Sequence, residues 1–342
     1  MNQLSARQKK ILSLIVHEYI LSADAVASRH LVDKYKLDLS SATIRNEMSA
    51  LTEQGYLKQP HTSAGRVPTE EGYRYFVGQL MQETSLPEAI RRTINHQFSQ
   101  MHHDVKQWLQ LAATVLANET HAASLITAPQ PAEVRIKHIQ LIATHGRQVL
   151  AVLVLDGGQI HQHILTLEEP TSQEQLSILS NKFSQIFSGQ NINDISHFQG
   201  TLSPIESTIL TWIEDEMVRS DRLPTGEIYM DGITNVLAEP EFSDSEEARK
   251  ALHLLEERSL LQDLLAQSVL PNAIGGVQVL IGGEGNWDDL RQCSVILSKY
   301  GSPGIATGTL GILGPMRMSY GRSISMVRFL SGILSDFVSE QW

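Results

Sequence analysis

The chain reads as an α+β protein of more than one domain. Apolar residues recur at helical spacing up to about residue 118, and from residue 134 the spacing changes to the alternation of strands. Charge is also split unevenly between the first 80 residues and the rest. A length of 342 residues is enough for two or three domains, each burying its own core.

Residues 5–21 place Ile11, Leu12, Ile15, Val16, Tyr19 and Ile20 on one helical stripe, with Ser5 as a cap. Residues 24–36 predict a second helix with Ala27, Leu31 and Tyr35 on one side. A short connector leads to a third helix, capped by Ser40 or Ser41, whose stripe is Ile44, Met48 and Leu51. Gly55 suits its left-handed C-terminal end. The opposite face carries Ser41, Thr43, Arg45, Asn46 and Ser49, all polar and none acidic. Such a face can donate to phosphates, with Arg45 suited to guanine and Asn46 to adenine. A hairpin follows with Lys58, His61, Ser63 and Arg66, placed to reach phosphates or the minor groove. Three helices and a basic two-stranded wing make a winged helix-turn-helix over residues 1–80.

Thr69, Glu70 and Glu71 then start another helix, whose Tyr73, Tyr75 and Phe76 sit at helical spacing. That spacing favours packing against the wing base over stacking on bases. Helices are expected over 88–101 and 104–118, and a short strand over 123–127. Residues 134–144, 148–155 and 159–167 read as three strands joined by short turns, an antiparallel meander. In the first of these, alternation sets Val134, Ile136, His138 and Gln140 on one face and Ile139, Leu141 and Ala143 on the other. Helices follow over 172–187 and 204–218. Beyond residue 226 come strands at 227–231, 277–281, 293–297 and 305–313, a proline-containing loop at 238–242, a helical segment over 245–267 and a last helix over 319–338.

The net charge is −11. Residues 1–80 hold ten basic and eight acidic side chains, against 17 and 30 in the remainder. A mildly basic head on an acidic body can direct one surface at a polyanion, but a head this weakly charged needs a second copy to bind well. The single cysteine, Cys293, excludes an intramolecular disulfide, argues against a thiolate zinc site and suits a reducing cytoplasm. No stretch is apolar enough to span a bilayer, and no secretory signal stands out.

The block SSATIRNEM…LTEQGYLKQPHTSAGRVPTEEGYRYFV closely resembles the HrcA family of heat-inducible transcription repressors, and so do DGITNVLAEPEF, VLIGGE, CSVILSKYG and GILGPMRMSYGRSISMV further on. The resemblance spans essentially the whole chain. It implies a dimeric cytoplasmic repressor of chaperone operons, active in the heat-shock response, that binds an inverted repeat in double-stranded DNA and is kept active by the chaperonin GroEL. It also implies a GAF-like domain carrying an inserted dimerisation domain. The insert is placed at 132–222 and the GAF-like domain at 81–131 and 223–342.

Two other classes compete. A ligand sensor would use the glycine-rich turn 282–285, but no Lys-Ser/Thr follows to complete a phosphate loop. An enzyme would use Glu284 with Asp288 and Asp289, His161 with His163, or His102 with His103, and none of these sets assembles three or four convergent groups. No cofactor and no metal is expected.

Overall fold

The computed structural model describes residues 4–61, 64–81, 84–101, 104–131, 133–156, 159–198, 200–222, 227–242, 253, 257, 261, 274–282 and 290–341. Ser63, His102, His103, the glycines at 157 and 158, nearly all of 245–267, and the turn beyond Gly282 with Glu284, Asp288 and Asp289 lie outside them. Two compact units emerge. The first comprises Met1–Ala128, Glu227–Tyr300 and Thr309–Asp336, and the second Pro129–Gly226, Gly301–Gly308 and Phe337–Trp342.

The first unit opens with helices α1 (Ala6–Ser22), α2 (Ser28–Tyr35) and α3 (Ser41–Glu53), followed by the paired strands β1 (Leu57–Lys58) and β2 (Val67–Pro68). Ser5 and Gln8 close a capping box at the start of α1, each side chain meeting the other's backbone N–H. Helix α2 starts four residues later than its periodicity predicts. Val26 instead exchanges two 2.9 Å backbone hydrogen bonds with Arg66, and that pairing needs extended backbone. Helix α4 (Glu70–Tyr75), capped by Thr69, runs into a π-helical stretch at Phe76–Leu80. Tyr75 meets Tyr56 edge-on at 5.2 Å, so this aromatic packs at the wing base as its spacing predicts.

After α5 (Glu88–Ser99) and α6 (Val105–Thr120), β3 (Ala123–Thr127) leads to β4 (Gln130–Pro131) and the second unit. In that unit β5 (Ile136–Ala143), β6 (Gln148–Leu155) and β7 (Ile160–Thr166) form a three-stranded antiparallel sheet in chain order, joined by α7 (Gln173–Phe187), α8 (Ile192–Ser196) and α9 (Pro204–Arg222). The expected phase of β5 is corrected here. Ile136 is buried with Ile139 and Leu141, not opposite them, because Lys137 is an extra residue at a bulge between the pairs Ile136–Leu155 and His138–Val154. The edge of β5 is closed by α7. Leu141 N–H donates to Ser180 Oγ at 2.9 Å, Ile139 N–H to Ser184 Oγ at 3.1 Å, and Ala143 N–H to Gln173 Oε1 at 2.8 Å. Phe183, Phe187, Trp212 and Ile213 fill the core beneath the sheet. Glu206, nearly buried, accepts from Lys182 at 2.5 Å and from Ser203, and these bonds outweigh burial to hold its carboxyl at about 2.

The chain returns to the first unit at β8 (Ile228–Asp231), followed by α10 (Ile233–Leu237) and a 3-10 turn at Pro240–Phe242, where a plain loop was expected. With β9 (Val277–Ile281), β10 (Cys293–Ser302) and β11 (Ala306–Pro315), the sheet order is β8-β3-β11-β10-β9. Ala123, Leu125, Cys293, Val295, Leu297 and Leu313 form one core with Val236 and Phe242. Alternate positions face helices: Ser124 Oγ donates to Ala113 O of α6 at 2.8 Å, and Ser298 Oγ lies 3.3 Å from Ser331 of the final helix α11 (Tyr320–Gln341). Cys293 is a buried thiol. No helix among the described residues is long and apolar enough to cross a membrane.

Deleting Lys137 would restore strict alternation and turn Ile136 out of the core. We expect a stability loss of about 1.5–3 kcal/mol, read as a lower urea midpoint by Trp212 fluorescence in a variant with no other tryptophan. An unchanged midpoint would show that the bulge does not set the phase.

Candidate nucleic-acid interface

Helix α3 is held by its apolar stripe. Ile44, Met48 and Leu51 are all buried where α3 packs against α1 and α2. Its start is fixed by Ser40, whose hydroxyl accepts from Thr43 N–H at 3.1 Å. What remains outside is the polar face. Arg45 and Asn46 are exposed, and among the described residues neither side chain has a hydrogen-bond or ion-pair partner. Thr43 and Ser49 flank them, half-buried. Ser41 is half-buried too, 3.0 Å from the Ser28 hydroxyl at the start of α2. Two of the five candidates on this helix are therefore fully presented, and Ser41 doubles as a tie between α2 and α3.

The β1–β2 hairpin, the candidate wing, adds Lys58 and His61, both exposed, and Ala64 N–H bonds His61 O at 2.9 Å. Arg66 also makes a contact within the fold that the sequence pattern does not reveal. Its Nε donates to Thr52 Oγ1 at 3.0 Å on α3, so it braces the wing against the helix. The brace is reinforced by the Val26–Arg66 pairing, which brings the backbones so close that a Cβ on Gly65 would lie 2.3 Å from Val26 O. The geometry thus joins the α1–α2 connector, α3 and the wing into one block.

Glu18 is a structural residue of this block that periodicity does not reveal. Its side chain is only 6% exposed, yet it lies on α1 among apolar residues. Three groups of α2 converge on it: His30 Nε2 at 2.7 Å, Lys34 Nζ at 2.8 and 2.9 Å, and Tyr35 OH at 2.5 Å. Burial acts to raise its carboxyl, but the bonds from Lys34, Tyr35 and His30 overcome that and hold it at about 2. Burial, together with the same contact, pushes the Tyr35 phenol up to about 12. The one signal in the sequence was an acid interrupting an apolar helical run.

Among the described residues no three or more His, Cys, Asp or Glu side chains are grouped to hold a metal ion. His161 instead pairs with Glu216 at 3.2 Å and with Ser220 at 3.2 Å.

Comparison with known proteins defines the class. A family model described as the HrcA protein C terminal domain matches residues 106–324. The heat-inducible transcription repressor HrcA of Roseiflexus castenholzii is 41% identical, over 98% of this chain and 95% of its own. That of Chloroflexus aurantiacus is 40% identical, over 98% and 94%. A solved structure titled as a hypothetical protein has the same fold, with a TM-score of 0.65 at 24% identity, covering 99% of each chain. The class is thus a transcription repressor, a regulator and not an enzyme. The chain belongs to the HrcA family of heat-inducible transcription repressors.

Glu18→Gln should lower stability by about 2 kcal/mol, since α2 loses its charged anchor while Lys34 stays half in water. The folded-state value of Glu18 lies below the unfolded one, so its contribution is complete above about pH 4.5 and is lost as pH falls toward about 2. Denaturation measured between those limits should show the variant insensitive to this group. Parallel wild-type and variant pH profiles would contradict the assignment.

Proposed function

We propose that the chain represses transcription by binding an inverted-repeat operator as a two-fold dimer, each protomer reading one half-site with α3. In this reading residues 1–80 are a winged helix-turn-helix head. Residues 81–131 with 223–342 form a GAF-like domain, and 132–222 are the inserted dimerisation domain. One observation carries it: Arg45 and Asn46 stand free on a helix whose other face is sealed in a core. A free guanidinium and a free amide on a rigid helix are the groups that pair bidentately with guanine and adenine edges. Lys58 and His61 on the wing would add phosphate contacts that position the head without reading sequence. Arg66 and Ser41 would act through bracing first, with their remaining polar atoms turned to the backbone of the DNA.

Support for the dimer comes from the second unit. The outer face of its sheet, away from α7, carries aliphatic residues on either side of a row formed by Gln140, Val152 and Gln162. Ile142, Leu150 and Ile164 form one cross-strand row, and Val154 with Ile160 belongs to another. Ile160 and Ile164 are 59% and 55% exposed, apolar surface that a partner could cover. A second copy packing there would cover both faces of the sheet. The heat response follows from mass action. A chaperonin of the GroEL type that restores the folded repressor raises the binding-competent fraction, and unfolded clients compete for it during stress.

In gel shifts on the inverted repeat, Arg45→Ala should weaken specific binding by about ten- to a hundredfold, with non-specific binding unchanged. Equal affinities would remove α3 from the recognition role. Ile164→Asp should sediment as a monomer and bind the full operator no better than a half-site. A variant that stays dimeric would place the dimer contact elsewhere. Operator binding lost on mild heating should return with added GroEL, and full activity without it at every temperature would refute that part.

A further inference from the structure

The head meets the remainder of its own unit at a seam with an arginine at each end. Arg317, in the turn after β11, has a side chain only 14% exposed. Its guanidinium pairs through Nε with Glu241 and through Nη2 with Glu239, both on the segment following α10. Two carboxylates fix the plane of a guanidinium, and that plane decides where the remaining nitrogen points. Nη1 points to Ile20 O in the last turn of α1, at 3.5 Å. A helix's last carbonyls have no intrahelical partner and carry the negative end of its dipole, so a cation aimed there holds the helix end.

At the other end, Arg74 of α4 pairs with Glu70 at 3.2 Å and Glu71 at 3.4 Å on its own helix. Its Nη2 also crosses to Ile281 O at 3.0 Å and Gly282 O at 3.3 Å, where β9 ends. Gly282 has a φ of +51°, and a Cβ there would lie 2.6 Å from Glu70 Cδ. The first glycine of the turn weighed in the sequence as a ligand loop is thus the seat of the head. Between the arginines, Tyr73 and Tyr320 are fully buried with ring centroids 6.0 Å apart, and Tyr320 OH is rooted in the body at Ser294 and Met316. Beside them a cavity of about 190 Å³ separates Val77 and Met81 from Val279 and Ile324. The seam is not packed throughout, and the polar anchors stand at its two ends.

We propose that Arg317 and Arg74 are positioning residues for operator reading: they fix the direction in which each head presents α3, and so set the half-site separation that a dimer accepts. This rests on the dimeric reading above. Each base pair added between half-sites moves the second by about 3.4 Å and turns it by about a tenth of a helical turn. Heads anchored at two points concentrate their effective molarity at one separation, whereas loosened heads spread it over several.

The test uses full-length protein and inverted repeats recovered from random-sequence DNA by the wild type. These are rebuilt with the spacer changed one base pair at a time, alongside single half-sites. The wild type should lose about tenfold or more in affinity within two base pairs of its optimum. Arg317→Met and Arg74→Met should bind the single half-site as the wild type does, yet lose only about two- to threefold over the same spacer change. A purely structural role would instead lower half-site binding together with operator binding. Variants that keep the steep wild-type profile, or that lose half-site binding in proportion, overturn the proposal. If circular dichroism shows Arg317→Met unfolded, Arg74→Met, whose side chain is 31% exposed, decides the matter by itself. A wild type with no preference for inverted repeats would overturn the dimeric reading, a result distinct from a spacing optimum that the variants share.

Discussion

The carboxylate of Glu18 is the contact on which the head depends. It is the only charged group sealed between α1 and α2 among the described residues, and three donors from one short helix close on it. Helix α2 is eight residues long, too short to be stable alone and with Leu31 as its one fully buried large apolar side chain. An apolar contact of that size leaves a short helix free to rotate about its axis. Three directional bonds to a fixed carboxylate do not. Once α2 is set, Ser28 sets Ser41, and the start of α3 follows. The orientation of the proposed base-reading surface is thereby traced to a buried charge between α1 and α2, where specificity of geometry, more than net stability, is what such a charge supplies.

Much of this was legible because long, well-capped amphipathic helices announce themselves. Ser5, Ser40, Thr69, Asp104 and Ser172 all cap where the sequence changes from polar to periodic. Legibility failed where a residue's partner is distant in the chain. Val26 looks helical until Arg66 pairs with it. Ile136 looks outward until Lys137 is recognised as a bulge, and a bulge is defined only by its partner strand. The short helices α8 and α10, five residues each, are below the length at which periodicity speaks. The candidate interface divides in the same way. The exposure of Arg45 and Asn46 follows from the stripe on the opposite side of α3. The diversion of Arg66 to Thr52 and of Ser41 to Ser28 does not, because a side chain that can brace and a side chain that can bind are the same residue type.

The second unit shows two solutions to one problem. An antiparallel sheet of three strands has two edges and two faces, and α7 deals with one of each. Phe183 and Leu176 cover the inner face, while Gln173, Ser180 and Ser184 satisfy the N–H groups of β5. On the outer face the strands keep the aliphatic row Ile142, Leu150 and Ile164 next to the polar Gln140 and Gln162. On the dimeric reading proposed above, that row is the part of the face a second copy would cover.

The charge distribution ties these features to regulation. A head with ten basic and eight acidic residues can release few counterions, and the acidic remainder opposes the approach to DNA. In the dimeric reading proposed above, affinity comes from holding two heads at one separation, since the second contact gains from effective concentration and not from added charge. On that reading, operator binding is a product of several weak equilibria: the fold of each head, its seating on its unit, and the pairing of two copies. A change that halves each of these factors lowers occupancy far more than it lowers any one of them. A repressor built in that way would respond steeply to a modest loss of folded protein, with no dedicated sensor needed beyond the marginal stability of its parts.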